Sequence, residues 1–203
     1  MQRIIFATGN QGKMREIRRI LENLTIKGEL TQILSMKDAG IDIDIEENGT
    51  TFEENAVIKA KAVGAEAKDA IVLADDSGLV IDHLNGEPGI YSARYMGEDT
   101  SYRIKNASLI ERLSGVEDEK RTARFVCAIA AAMPDGTVFT ETGTIEGRIG
   151  YEEKGENGFG YDPIFYVPEY GKTTAELTED EKNEVSHRGK ALRAVRKRLE
   201  ENV

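Results

Sequence analysis

The sequence predicts an α/β fold, a central mixed β-sheet with flanking helices, on three observations. The chain opens on a short apolar strand that runs through a glycine-containing loop into an amphipathic helix. An alanine-rich helical stretch is followed by a second apolar strand, the alternation expected of α/β chains. Two later apolar runs are joined by Pro134, Asp135 and Gly136, a hairpin signal that excludes a purely parallel sheet.

Taken in order, residues 3–7 read as a buried strand, and residues 12–24 carry Ile17, Ile20, Leu21 and Leu24 at helical spacing. Residues 41–45 alternate Ile with Asp, which predicts a strand with one apolar face. Thr51 followed by Glu54 is a capping-box pair, so a helix should start there and run to about residue 68. Residues 71–74 predict a short strand ending at Asp75, Asp76, Ser77 and Gly78, with strand resuming over 79–82. A helix is expected over 100–113, strands over 122–133, 137–149 and 164–167, and a terminal helix over 179–201 interrupted near Gly189. There is no internal repeat, low-complexity tract or linker, so residues 1–203 are expected to form one domain.

Composition narrows the function. With 39% apolar and 32% charged residues, the chain has the balance of a globular protein rather than a disordered one. No window approaches the ~18–20 apolar residues of a membrane helix, and the first residues lack the features of a secretory signal. The expectation is a soluble cytoplasmic protein. A net charge of −10 argues against a nucleic-acid partner, whose binding would rest on a basic footprint. A phosphate-bearing small molecule would need locally gathered Lys and Arg, or a divalent cation, against that field. The single cysteine, Cys127, lies in an apolar run, which excludes a disulfide framework and points to a buried core residue.

Five segments carry candidate chemistry. Thr8, Gly9, Asn10, Gln11, Gly12 and Lys13 join a strand to a helix, where close backbone approach, free helix N–H groups and a cation suit a phosphate. The spacing is not that of a Walker A loop, and an ordinary capped turn explains the segment equally well. Acids at Asp42, Asp44, Glu46, Glu47, Glu53 and Glu54 precede or begin a helix that places Asn55 and Lys59 one turn apart on a common face. Carboxylates in such a place can hold Mg²⁺ or simply be solvated. Asp75 and Asp76 cannot both face one way along a strand, so one can point into a cleft while the other supports a loop. Gly158, Phe159, Gly160, Tyr161, Asp162 and Pro163 form a glycine-flanked aromatic loop suited to stacking a flat ring. Lys182, His187, Arg188 and Lys190 gather cations on the final helix. His83, outside any such cluster, reads as structural or exposed.

In this order the segments resemble the inosine triphosphate pyrophosphatase, or Ham1, family over nearly the whole chain. The resemblance rests on TGNQGK at 8–13, ENGTTFEENAVIKA at 47–60, ADDSGL at 74–79, PGIYSAR at 88–94, GFGYDPIF at 158–165 and SHRGKA at 186–191. It implies an elongated two-lobed fold with a cleft between the lobes, commonly a homodimer, and cleavage of a nucleoside triphosphate between its α- and β-phosphates. It implies triphosphate contacts from residues 8–13 and Lys59, and Mg²⁺ ligation by Glu47 and Asp76. Asp76 stands in the place of the general base, with Ser77 beside it contacting substrate. Phe159 to Asp162 match the nucleobase loop, and Lys182, His187 and Arg188 match a late substrate-binding cluster. Choosing Glu47 over Glu46 rests on its spacing to Lys59.

The implied substrates are ITP, dITP and XTP. Hypoxanthine and xanthine present an acceptor at C6 and a proton on N1, which donors from Arg188 or His187 and an acceptor such as Asp162 would match, whereas adenine reverses both groups. The competing readings are a Maf-like pyrophosphatase for other triphosphates and a non-catalytic nucleotide-sensing module.

Overall fold

The computed structural model describes residues 1–202, and the chain forms two compact units. The first comprises residues 1–76, 127–143 and those from 187 onward; the second comprises 77–126 and 144–186.

In the first unit β1 (Gln2–Phe6) lies between β3 (Glu29–Ser35) and β4 (Ile71–Ile81), parallel to both, with Ile4 opposite Ile33 on one side and Ile71 on the other. A short β2 (Thr25–Ile26) pairs antiparallel with β3. β5 (Thr122–Ala132) and β6 (Val138–Ile149) are joined by the expected turn, in which Met133 N–H donates to the Thr137 carbonyl at 2.8 Å. Strand order in this unit is β2-β3-β1-β4-β5-β6.

Period-two alternation divides its core between the two faces of the sheet. Ile4, Phe6, Ile71, Leu73, Cys127 and Ile129 pack with Met14, Ile17 and Leu21 of α1 (Gln11–Ile20) and its extension, and with Leu192, Val195 and Leu199 of α5 (His187–Asn202). Ile5, Val72, Ala74, Ala128 and Ala130 pack with Ala56, Ala60 and Val63 of α2 (Phe52–Glu66). Strands buried on both faces explain why their sequences are continuously apolar rather than alternating.

The second unit holds the remaining segments of β4, β5 and β6, followed in order by β7 (Phe165–Val167) and β8 (Lys172–Thr173). Its core joins Leu79, Ile81, Phe125, Ile164 and Phe165 to Leu109 of α3 (Tyr102–Arg112) and to Leu113. α4 (Glu179–Val185) completes it, closed by a capping box of Thr178 and Glu181.

Several expectations are corrected. Residues 41–45 form no strand: their isoleucines pack against the core while their aspartates face solvent, but the segment joins no ladder. Asp75 to Gly78 lie inside one continuous β4 rather than after it. The terminal helix breaks at Ser186, which has extended dihedrals, while Gly189 is accommodated within α5. Thr51 caps α2 by accepting from Glu54 N–H at 3.1 Å, but the Glu54 carboxylate returns to Thr50 N–H, one residue earlier than a capping box requires. No helix among the described residues is long and apolar enough to cross a membrane.

Gly143 in β6 sits against the start of α5, where a Cβ would overlap the His187 carbonyl oxygen and approach Ala191 N to 2.7 Å. Backbone cannot yield as a flexible side chain does, so Gly143→Ala is expected to destabilise the protein by about 1–3 kcal/mol or more. A lower urea midpoint at unchanged slope would show it.

Candidate active site

The site begins where β1 stops and β4 does not. Phe6 opposite Leu73 is the last residue pair of the two strands, and Ala7 N–H still donates to the Leu73 carbonyl at 2.7 Å. Residues 8–10 then turn away into α1, while β4 runs on through Asp75 and Asp76. Asn10 caps α1 by accepting from Lys13 N–H at 3.1 Å, and Thr8 Oγ1 accepts from Asn10 N–H at 3.2 Å. Gly9, Asn10 and Gln11 are exposed, while Thr8, Gly12 and Lys13 are half-buried.

Adjacent strand residues point to opposite faces, and the two aspartates obtain different environments from that rule alone. Asp75 is 1% exposed and accepts from Lys13 Nζ at 2.9 and 3.2 Å. Arg188, in the first turn of α5, brings Nε to 3.5 Å from the same carboxylate and donates from Nη1 to Glu16 at 2.8 Å. Burial pushes the Asp75 pKa up, but Lys13, Arg188 and Lys59 overcome it and hold the carboxyl well below its usual range. Burial likewise disfavours the Arg188 cation, but Asp75 and Glu16 outweigh it and keep the guanidinium firmly charged.

Asp76 faces α2. It accepts from Asn55 Nδ2 at 3.1 Å, and Lys59 Nζ, one turn further along, pairs with Glu47 at 3.2 Å. Glu46, the neighbouring candidate, is exposed, whereas Glu47 is half-buried. Burial raises the Asp76 pKa to about 6; Lys59 and Asn55 oppose the rise, and the Glu47 and Asp75 charges add to it. A carboxylate with that pKa can hold or release a proton near neutrality, as a general base requires.

No group of three or more His, Cys, Asp or Glu among the described residues could cage a metal by itself. Mg²⁺ seldom needs such a cage: one or two carboxylates, substrate phosphates and water complete its octahedron. Glu47 and Asp76 would supply that pair, and the Glu47 charge, which adds to the burial-driven rise of the Asp76 pKa, is a repulsion that a divalent cation would relieve, so the donor set fits Mg²⁺.

The second unit holds a separate group of its own. Asp162, 4% exposed, ties the aromatic loop together: Oδ2 accepts from Phe159 N–H at 2.8 Å and Lys182 Nζ at 2.7 Å, and Oδ1 accepts from Thr174 Oγ1 at 2.8 Å. Gly158 and Gly160, both at positive φ, let the loop wrap that carboxylate. Lys182 Nζ lies 4.8 Å from the Phe159 ring centroid. Phe159 remains 40% exposed. Tyr161 is instead buried, donating to the Ser92 carbonyl at 2.5 Å and meeting Tyr102 edge-on at 5.1 Å.

The first unit therefore gathers Lys13, Glu47, Lys59, Asp76 and Arg188, with buried His187 opening α5. Phe159, Gly160, Tyr161, Asp162 and Lys182 gather in the second, where Ser77 continues β4, half-buried. Sequence reasoning missed Asp75 as the counter-ion of two cations, together with Glu16 and Thr174. Glu16 stands three residues after Lys13 on α1, a spacing that places both on neighbouring helix positions. Nothing in the local sequence marks Thr174.

Cys127 is buried on the Asp75 side of the sheet, and burial, reinforced by the Asp75 charge, pushes its thiol up to about 12. It takes no part in chemistry near neutral pH. Ellman's reagent at pH 8 is expected to leave the native protein unlabelled and to label one thiol per chain in denaturant.

The Ham1 family profile matches residues 4–198. The dITP/XTP pyrophosphatase of Bacillus subtilis (strain 168) is 49% identical, covering 98% of this chain and 98% of its own length. That of Clostridium perfringens is 47% identical at the same coverage. Among solved structures, the Staphylococcus aureus Ham1 protein superposes with a TM-score of 0.85 at 41% identity, and a HAM1 protein from Coxiella burnetii with 0.87 at 39%, each covering 98% of both chains.

Proposed function

The chain belongs to the Ham1 family, and from that premise we propose that it hydrolyses ITP, dITP and XTP to the nucleoside monophosphate and pyrophosphate, clearing these nucleotides from the pool. The observation that carries the reading is the meeting of Lys13, Lys59 and Arg188 with the Glu47, Asp75 and Asp76 carboxylates beyond the end of β1. A protein of net charge −10 concentrates cations in this way where it must hold a polyanion. The names of the relatives, dITP/XTP pyrophosphatases, support the same substrates.

The N-terminal amides of α1 and the Lys13 ammonium receive the triphosphate. Water attacks the α-phosphorus in line: its oxygen forms the new P–O bond, and its proton passes to Asp76. The bond to the bridging oxygen breaks with its electron pair leaving on pyrophosphate, whose charge Lys13 and Lys59 stabilise. Glu47 and Asp76 would hold Mg²⁺, which would supply further neutralisation of the charge that develops. Phe159 offers its exposed ring for stacking, with Lys182 and Asp162 fixing the loop that carries it. The raised pKa of Asp76 disfavours a purely sensing role, because binding alone needs no proton acceptor poised near neutrality. A homodimer belongs to the same reading and is tested by light scattering in solution.

Incubating the purified protein with ITP and Mg²⁺ and separating the products tests it. Inosine monophosphate with pyrophosphate is the expected outcome; inosine diphosphate with orthophosphate would assign a different bond. Parallel assays with dUTP and dTTP should give far slower turnover than ITP.

A further inference from the structure

We propose that Asn55 is a positioning residue that clamps the Glu47 segment to Asp76 and so fixes the spacing of the two carboxylates before substrate arrives. The inference rests on the reading of Glu47 and Asp76 given above and adds to it a residue which neither the capping pattern nor the charge pattern singles out.

Asn55 occupies the second turn of α2 and is fully buried, 0% exposed. A buried amide has to satisfy both of its ends, and this one uses them on two different stretches of chain. Oδ1 accepts from Gly49 N–H at 2.8 Å, two residues after Glu47. Nδ2 donates to Asp76 Oδ2 at 3.1 Å. One partner is an obligate donor and the other a carboxylate, so the orientation of the amide is determined. Asparagine alone matches both: aspartate would set a third negative charge between Glu47 and Asp76, and leucine would satisfy neither group.

Gly49 shows how closely the clamp is fitted. A Cβ there would lie 2.7 Å from Asn55 Oδ1 and 2.8 Å from Glu54 Cβ, so the backbone can approach the amide only without a side chain. Gly49 and Thr50 are then both anchored to α2, since Glu54 also accepts from Thr50 N–H at 2.6 Å and from its hydroxyl at 2.8 Å. Glu47 stands two residues before Gly49 and meets Lys59, one turn beyond Asn55. Outer contacts that orient ligating carboxylates typically change metal affinity or activity by about 10–100-fold when removed.

The test is Asn55→Leu, read in two ways. In the metal-free protein, hydrogen exchange at the Gly49 amide should accelerate by about tenfold or more, since its acceptor is gone. With ITP, kcat should fall about 10–100-fold and the Mg²⁺ concentration for half-maximal rate should rise, while KM at saturating Mg²⁺ stays within about twofold, because the triphosphate cations are untouched. Gly49→Ala, which forces the same hydrogen bond apart from the other side, should reproduce this pattern and carries the test should Asn55→Leu not fold. Parent activity and parent exchange in the folded variants would overturn the inference and leave the proposed reaction standing. A parent protein that releases no pyrophosphate would overturn the reading of the site and this inference with it.

Discussion

Asp76→Asn is expected to lower ITP turnover by about 10²–10⁴-fold while melting at or above the parent's temperature in metal-free buffer at pH 8. Both halves follow from one environment. Burial lifts the folded-state pKa of Asp76 to about 6 from an ordinary 3.8. A group raised in this way favours the fold while protonated and opposes it as the pH rises through the folded value. At pH 8 the parent therefore holds an ionised carboxylate that its surroundings disfavour, and the neutral amide removes the conflict together with the proton acceptor. Stability measured by thermal melting and activity measured by pyrophosphate release should move apart. A variant that turned over ITP at the parent rate would remove Asp76 from the chemistry.

Arg188→Leu should have the opposite character, costing stability first. It leaves Asp75, 1% exposed, with Lys13 as its remaining close cation and also removes the hydrogen bond that Glu16 accepts from Arg188. Breaking a buried ion pair from one side typically costs about 3–5 kcal/mol, which in a domain of this size is roughly 6–20 °C in Tm. The pH dependence gives a second signature. Asp75 has a depressed folded-state pKa, so its stabilising contribution is present above its unfolded value near 3.8 and is lost as the pH falls below it. The gap between parent and variant, read by denaturant titration, should therefore be widest at neutral pH and narrow below about pH 4. Adding Asp75→Leu to the variant should recover part of the loss, since the stranded charge goes with it.

The elements with strong local signals were legible in the sequence: the apolar strands, the Thr51 cap, the Pro134 to Gly136 turn and the helix over Ile17 and Leu21. What it concealed depended on partners far along the chain. The alternation of Ile41, Ile43 and Ile45 correctly separates a buried from an exposed side, yet a strand also needs ladder hydrogen bonds to a neighbour, and this segment joins no ladder. β3 was missed because its residues 29–32 are polar or exposed, so only pairing with β1 identifies it. Asp75 and Asp76 read as a strand end because charged pairs rarely continue a buried strand; they continue it here because Lys13 and Arg188 neutralise one and Asn55 holds the other. For the candidate site, ordered blocks pointed to particular segments. They did not reveal that Asp75 unites Lys13 with Arg188, or that one amide joins Gly49 to Asp76, since those contacts span tens of residues and have no local periodicity.

α2 also acts as a ruler. Thr51, Asn55 and Lys59 fall four residues apart, so the cap, the amide and the cation rise along one stripe of the helix. Each residue turns the helix by about 100°, so removing a single alanine between Asn55 and Lys59 would swing the lysine round to another side and leave Glu47 facing a gap. A chain that tolerates many exchanges of side chain on this helix should tolerate almost no change in its length.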